Sequence, residues 1–252
     1  MILAIDIGNT NITAGIFRDK RLVAKVKTPS HASYLYARSL RKLLKSAGLT
    51  SADVGSVVIS SVVPLVLGRL VVELGRMAFR RSCIIGRDVK APIRNMYRNK
   101  DEVGQDRLVN ALAAKALYGA PAVIVDFGTA ITFDIVSARG DYLGGLILPG
   151  IKMSLESLHR KTALLPRVEL KPATSIIGKD TVNSMRGGIL FGLGAMCDGL
   201  VSRYRKMLGK RLKVIATGGN AGLIKRYTKS IQIVDEDLTL KGLSLLARYG
   251  RF

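Results

Sequence analysis

Short apolar runs ending in polar turns recur along this chain. They alternate with stretches whose apolar residues fall at helical spacing. The first run, 2–5, leads into Asp6-Ile7-Gly8-Asn9-Thr10-Asn11, and 11–17 alternates well enough to be a second strand. A hairpin is expected there, within a β-meander over 1–28. In 34–47, Leu35, Leu40, Leu43 and Leu44 recur at helical spacing with Arg and Lys between them, and Gly48 closes the pattern. A buried strand over 54–63 precedes Pro64, which suits the first turn of a helix over 65–79. A short strand, 82–85, and a polar stretch, 91–107, precede an Ala-rich helix over 108–118. A second hairpin spans 123–136, and 141–148 continues its sheet until Gly144-Gly145 and Pro149-Gly150 break it. Then come a helix over 151–159, a turn-rich linker over 161–166 and a long apolar stretch over 182–208. Gly187, Gly188, Gly192, Gly194 and Gly199 in that stretch favour close helix packing. A strand at 213–216 runs into Thr217-Gly218-Gly219-Asn220, and 238–249 forms a closing amphipathic helix. The alternation of strand and helix predicts an α/β fold.

One phrase occurs twice. The turn after the first strand carries Asp6 and Gly8, and Asp126-Phe127-Gly128-Thr129 repeats it 120 positions later, again between strands. Gly8 lacks the Cβ that would keep a phosphate from the backbone. Asn9, Thr10 and Thr13 supply amide and hydroxyl donors. A single Asp-x-Gly turn is an ordinary hairpin. The pair, with hydroxyls at matching places, predicts a duplicated fold whose two phosphate-handling turns face each other across a nucleotide cleft. No Gly-x-x-x-x-Gly-Lys-Ser/Thr loop is present, so the chain is not a P-loop protein. The boundary between the halves is expected near 108, giving units of 1–108 and 109–252.

Composition narrows the class. Forty Lys and Arg against eighteen Asp and Glu give a formal charge of +22, which favours anionic ligands. The basic residues are scattered, without a zinc finger, a basic arm or an RNA-binding aromatic signature, so nucleic acid is not the expected partner. Cys83 and Cys197 lie far apart in apolar surroundings and read as buried free thiols of a cytoplasmic protein. His31 and His159 form no metal-binding spacing with them. The most apolar stretch, 57–72, is broken by Ser60, Ser61, Pro64 and Arg69 and is not a membrane span. The N-terminus enters a strand directly, without a secretory pattern.

The polar stretch 91–107 ends in Asp106 and Arg107 at the expected start of a helix, beside the flexible Gly104. Asp106 there serves either as a helix cap or as a carboxylate that takes a proton, with a guanidinium beside it to fork onto an anionic group. The Thr217-Gly218-Gly219 turn could seat the α-phosphate or adenosine of a nucleotide at a helix start.

Several motifs, in order and across essentially the whole chain, resemble type III pantothenate kinase. They are DIGNT at 6–10, SSVVP at 60–64, Tyr97 with VGQDR at 103–107, DFGT at 126–129, GGLILPG at 144–150, TALLP at 162–166, GKDT at 178–181 and TGG at 217–219. The resemblance implies duplicated ribonuclease H-like domains of the acetate kinase, sugar kinase, heat-shock ATPase and actin superfamily. It implies ATP-dependent phosphorylation of pantothenate, the first step toward coenzyme A, in a homodimer that uses Mg²⁺ with ATP and a monovalent cation, K⁺ or NH₄⁺. Carried over by position, Asp6, Ile7, Gly8, Asn9, Thr10, Asn11, Ile12 and Thr13 would hold the ATP phosphates, with Asp6 reaching Mg²⁺ through water. Thr129 would also contact ATP, and Asp126 would ligate the monovalent cation. Asp106 would be the general base. Tyr97, Gly104, Gln105, Asp106, Arg107 and Thr181 would bind pantothenate, Thr181 from across the dimer interface.

Three positions depart from the family pattern. Lys100 follows Asn99 where Pro is common, leaving the substrate loop without that rigid residue. Asp180 replaces a common Asn, and Arg186, where Gln is common, is expected to neutralise it. Two other readings fit the residues: a different small-molecule kinase of the superfamily, or a nucleic-acid-associated regulator that keeps the fold.

Overall fold

The computed structural model describes residues 1–79 and 82–249. The chain divides into two compact units. The first comprises Met1–Ile93, Arg98–Ala113 and the chain from Asp237 onward; the second comprises Arg94–Tyr97 and Ala114–Glu236. The main crossing therefore follows Ala113 rather than Leu108, and the C-terminal helix returns to the first unit.

The first unit opens with the meander β1 (Ile2–Ile7), β2 (Asn11–Arg18) and β3 (Arg21–Pro29). A 3-10 turn leads into α1 (Tyr36–Ser46), which turns Tyr36, Leu40, Leu43 and Leu44 inward at helical spacing. Gly48, at φ +65°, stops it: the Leu49 N–H donates back to the Leu44 carbonyl at 2.9 Å, a turn that a side chain at 48 would strain. Then come β4 (Ser56–Ser61), α2 (Pro64–Arg76) with Pro64 in its first turn, and β5 (Ser82–Ile84). The helix α3 (Gln105–Tyr118) starts three residues earlier than its apolar pattern, because Gln105, Asp106 and Arg107 join its first turn.

The second unit contains β6 (Ala122–Phe127), β7 (Ala130–Val136), β8 (Tyr142–Pro149), α4 (Ile151–Lys161), α5 (Thr181–Leu208), β9 (Lys213–Thr217), α6 (Ala221–Ile224) and β10 (Ile233–Val234). Gly144 and Gly145 do not break β8. Gly145 pairs with Asp134 and Gly144, at φ +113°, with Ile135; the register then shifts and leaves Leu143 unpaired as a bulge. The two-residue β10 is too short to show in an apolar pattern. The closing α7 (Leu238–Tyr249) packs on β1 and β4.

The sheets share one topology, β3-β2-β1-β4-β5 in the first unit and β8-β7-β6-β9-β10 in the second. In each, the central strand pairs antiparallel with its hairpin partner and parallel with the first strand after the helical segment, α1 in the first unit and α4 with α5 in the second. Alternation along β1 splits the first core in two. Leu3, Ile5 and Ile7 pack with α1 and α2, while Ala4 lies on the face covered by Val109 and Leu112 of α3 and Leu240, Leu243 and Leu246 of α7. In the second unit Val123, Val125 and Phe127 pack with Leu155, Leu190, Cys197 and Ile224. Each such buried Leu or Ile contributes about 1.5–3 kcal/mol. Both cysteines are free and buried, and burial, with Asp198 adding, pushes the Cys197 thiol up to about 12. Among the described residues no helix is long and apolar enough to cross a membrane.

Candidate active site

Side chains on a strand alternate, so Asp6 lies on the face opposite Ile5 and Ile7, the face that α3 and α7 cover. Pairing puts Thr13 directly beside it on β2 and Ser60 beside it on β4. The Ser60 hydroxyl is fully buried and has no hydrogen-bond partner. The connecting turn is three residues long, 8–10. The Gly8 N–H is spent inside it, donating to the Asn11 carbonyl at 3.0 Å, so the side chains of Asn9 and Thr10, both exposed, are its outward groups. Ser30 braces the turn from β3: its hydroxyl donates to the Gly8 carbonyl at 2.6 Å and its N–H to the Thr10 carbonyl at 2.9 Å. The buried Tyr36 hydroxyl holds Ser30 in turn, at 2.8 Å.

Asp106 belongs to the same unit and to the helix on the same face. Its Oδ1 accepts from the Arg107 N–H at 2.9 Å. A Cβ on Gly104 would lie 2.5 Å from that oxygen and 3.8 Å from Val62, so only glycine lets the carboxylate fold over this point. The Val62 N–H donates to the Ile7 carbonyl at 3.1 Å, so Val62 touches both the Asp106 loop and the end of β1. Burial raises the Asp106 pKa above the ordinary carboxylate value, against the lowering effect of the Arg107 N–H and guanidinium. Arg107 is buried, with 7% exposure. Gln105 packs its side chain over Gly86, where a Cβ would lie 2.7 Å away. The Asp106 carboxylate thus accepts from a first-turn N–H of α3 and sits in a desolvated place.

Asp126 occupies in the second sheet the place of Asp6 in the first. Thr132 lies beside it on β7 and Thr217 on β9. The Thr217 hydroxyl, 1% exposed, also has no hydrogen-bond partner. This turn is one residue shorter, 128–129, and Thr129 is exposed. Its surroundings are backbone. A Cβ on Gly218, which has φ +84°, would lie 2.3 Å from Asp126 Oδ1, and one on Gly150 would lie 2.0 Å from the Thr129 carbonyl oxygen. The Asn220 N–H and side-chain amide both donate to the Phe127 carbonyl, at 3.4 and 3.3 Å. The Thr217-Gly218-Gly219-Asn220 turn is therefore built directly against the second Asp-x-Gly turn. It leads into a helix of only four residues.

The substrate-loop residues divide between units. Tyr97 belongs to the second, where its ring packs over Gly144 and lies 6.5 Å from the ring of Tyr142; Gly104 to Arg107 belong to the first. Asn99 supplies the order that a proline at 100 would have given. Its Oδ1 accepts from the Asp101 N–H at 3.4 Å and its Nδ2 donates to Glu102 at 2.9 Å, capping a 3-10 turn. Thr181 starts α5, exposed, behind the cap Asp180, whose carboxylate accepts from the Asn183 N–H at 2.8 Å and its side chain at 2.6 Å. Those bonds hold the Asp180 pKa low, and the charge of Arg186 adds only a minor part. Arg186 itself donates to Asn183 Oδ1 and to the Glu169 carbonyl, both at 3.3 Å.

Sequence reading missed Ser60, Thr217 and Asp134 as members of these clusters. Asp134 is fully buried and accepts from Thr132 Oγ1 and the Tyr142 hydroxyl, each at 2.8 Å. The signal was present: Thr132 and Asp134 alternate with Ile131, Phe133 and Ile135, which marks one face of β7 as polar. Among the described residues no three His, Cys, Asp or Glu side chains gather as a metal-binding group.

Comparison with known proteins bears on both fold and site. Among solved structures, a Baf family transcriptional activator from Campylobacter jejuni superposes with a TM-score of 0.60 at 20% identity over 98% of each chain. An inorganic polyphosphate/ATP-glucomannokinase from Arthrobacter does so at 0.51 and 13%, again over 98% of each chain. At those identities the likeness is one of fold alone, a duplicated α/β fold with ribonuclease H-like halves. Sequence goes further. A protein named type III pantothenate kinase from Anaeromyxobacter dehalogenans is 44% identical over 254 residues, covering all of both chains. The family model of type III pantothenate kinase matches residues 2–203, a span that holds both Asp-x-Gly turns and the Asp106 loop, and the chain belongs to that family.

Proposed function

We propose that this chain transfers the γ-phosphoryl group of ATP to the terminal hydroxyl of pantothenate, giving 4′-phosphopantothenate and ADP, in the cytoplasm. The full-length match at 44% identity carries this reading.

Phosphoryl transfer asks a protein mainly for in-line positioning and for stabilisation of charge on the moving group. Asp106 takes the hydroxyl proton as the new O–P bond forms. A carboxyl whose pKa burial has raised is a better base than an exposed one. On the family's pattern Tyr97, Gly104, Gln105, Arg107 and Thr181 bind pantothenate, Arg107 through its guanidinium to the substrate carboxylate. Residues 6–13 and Thr129 hold the ATP phosphates. Asp6, between Thr13 and the unpartnered Ser60 hydroxyl, presents only oxygen, which suits a hydrated Mg²⁺ held through water. Mg²⁺ there would neutralise phosphate charge. Asp126, between Thr132 and the unpartnered Thr217 hydroxyl, offers the same oxygen-only chemistry to K⁺ or NH₄⁺.

A homodimer is part of the reading. Gly188, Gly192 and Gly199 recur along α5 with open space where each Cβ would be, a surface that another helix can approach closely.

The test is ADP release from purified protein with ATP, magnesium and potassium. Release that depends on pantothenate is expected; release that ignores pantothenate and follows a sugar would replace this substrate.

A further inference from the structure

The two hydroxyls that donate to Asp134 stand next to Asp126, assigned to the monovalent cation, and to the segment of Tyr97, assigned to pantothenate. On β7, Thr132 is the register partner of Asp126, which brings their Cβ atoms to about 5 Å on one face of the sheet. On β8, Tyr142 is tied to the Tyr97 segment. Its carbonyl accepts from the Met96 N–H and its own N–H donates to the Arg94 carbonyl, both at 2.9 Å, and its ring lies 6.5 Å from that of Tyr97. A hydroxyl has one proton. Thr132 and Tyr142 each give theirs to the same carboxylate, one to Oδ2 and one to Oδ1, at 2.8 Å. Thr132 is then left with lone pairs alone for whatever lies beside Asp126, and lone pairs attract a cation and repel a phosphate oxygen.

We propose that Asp134 is a positioning residue that fixes Thr132 as a second oxygen ligand for the monovalent cation at Asp126 and fixes Tyr142 as the support of Tyr97. One buried carboxylate thereby orients the cation corner and the substrate wall together. The arrangement needs an acceptor at both oxygens. Asparagine offers one acceptor and one donor, so either Thr132 or Tyr142 must turn its proton elsewhere. In the first unit the position equivalent to Asp134 is Gly15, where a Cβ would meet Leu22 and Leu240, so that half has no such carboxylate.

This inference rests on the assignment of Asp126 to a cation and of Tyr97 to pantothenate. Its test therefore separates the two. Thermal midpoints are measured without substrates in KCl and in NaCl at equal ionic strength, and KM for pantothenate is measured in KCl. Wild type is expected to melt higher in KCl. Thr132→Val, which also leaves a buried Asp134 oxygen without its donor, should melt lower in both salts and lose the difference between them, and Thr132→Ser should restore both. Tyr142→Phe should raise KM several-fold and keep the potassium difference. Asp134→Asn should show both defects. A Thr132→Val protein that keeps the full potassium difference, or a folded Asp134→Asn protein with wild-type behaviour in both assays, overturns the proposal. If Asp134→Asn does not fold, the Thr132 and Tyr142 variants decide. A wild type with pantothenate-dependent turnover but no response to potassium overturns the cation assignment, and the Thr132 half of this proposal with it.

Discussion

The two Asp-x-Gly turns sit at the same place in the same topology, and they are held by opposite means. Pro29 ends the third strand of the first sheet and Ser30 follows it, and Pro149 and Gly150 stand at the matching positions of the second. In the first unit a side chain does the bracing: Ser30 reaches across to the Gly8 carbonyl at 2.6 Å. In the second unit the bracing is contact between backbones. Gly150 and Gly218 approach so closely that a Cβ on either would fall within 2.3 Å of the turn or of Asp126 itself. The first turn is longer by a residue and exposes Asn9 and Thr10; the second is short and tightly framed. A longer turn with polar side chains suits a ligand that varies in position during a reaction, such as a triphosphate. A short turn framed by glycine backbone suits one fixed point charge. The duplicated sheets thus share their hydrogen-bond register and differ in their turns.

The helices after the fifth strands extend the contrast. Each has an Asp at its start. Asp106 is half-buried with a raised pKa, whereas Asp237 before α7 forms a 2.6 Å ion pair with Lys25 near the surface. The largest effect expected is on turnover: Asp106→Asn should lose about 10²–10⁴-fold in kcat, while Asp237→Asn should stay within about twofold, as for a partly exposed ion pair. Equal losses would erase the distinction. Next, Asp6→Asn should lower the rate about 10–100-fold in every salt. Asp126→Asn should instead abolish the difference between potassium and sodium. A potassium response that survives in Asp126→Asn would make the two turns equivalent.

Smaller effects fall on stability. Gly150→Ser, which copies the first turn's brace into the second, should cost about 3 kcal/mol through overpacking. Ser30→Gly, the reverse copy, should cost about 1 kcal/mol through a lost hydrogen bond. Urea midpoints of the two variants measure this directly. The smallest effect follows from the sign of the Asp106 shift. A carboxyl whose folded pKa is raised binds its proton more tightly in the folded state. Its contribution to stability is therefore greatest at low pH and is lost as pH rises from the unfolded pKa through the folded one. Asp106→Asn, which keeps a side-chain acceptor without the charge, should melt above wild type at pH 7. That gap should close below about pH 4, near the unfolded carboxylate value. The wild-type activity profile should have its acid limb above the ordinary carboxylate range for the same reason.

Read alone, the sequence determined the local events. Two apolar runs ending in Asp-x-Gly specify two hairpins because alternation and glycine placement act over a few residues. Leucines at helical spacing specify α1 for the same reason, and the repeat after 120 positions shows the duplication. The polar composition of 91–107 sets the Asp106 loop apart as a candidate site. Tertiary structure alone decided what depends on residues distant in sequence. It placed Ser60 beside Asp6 and Thr217 beside Asp126 through parallel pairing, whose crossover lengths leave no periodic mark. It carried α7 back to the first sheet, because Leu240, Leu243 and Leu246 find their apolar partner there. It also gathered Thr132, Asp134 and Tyr142 into one buried network, since a hydroxyl's choice of acceptor is made by the space around it and not by its neighbours along the chain.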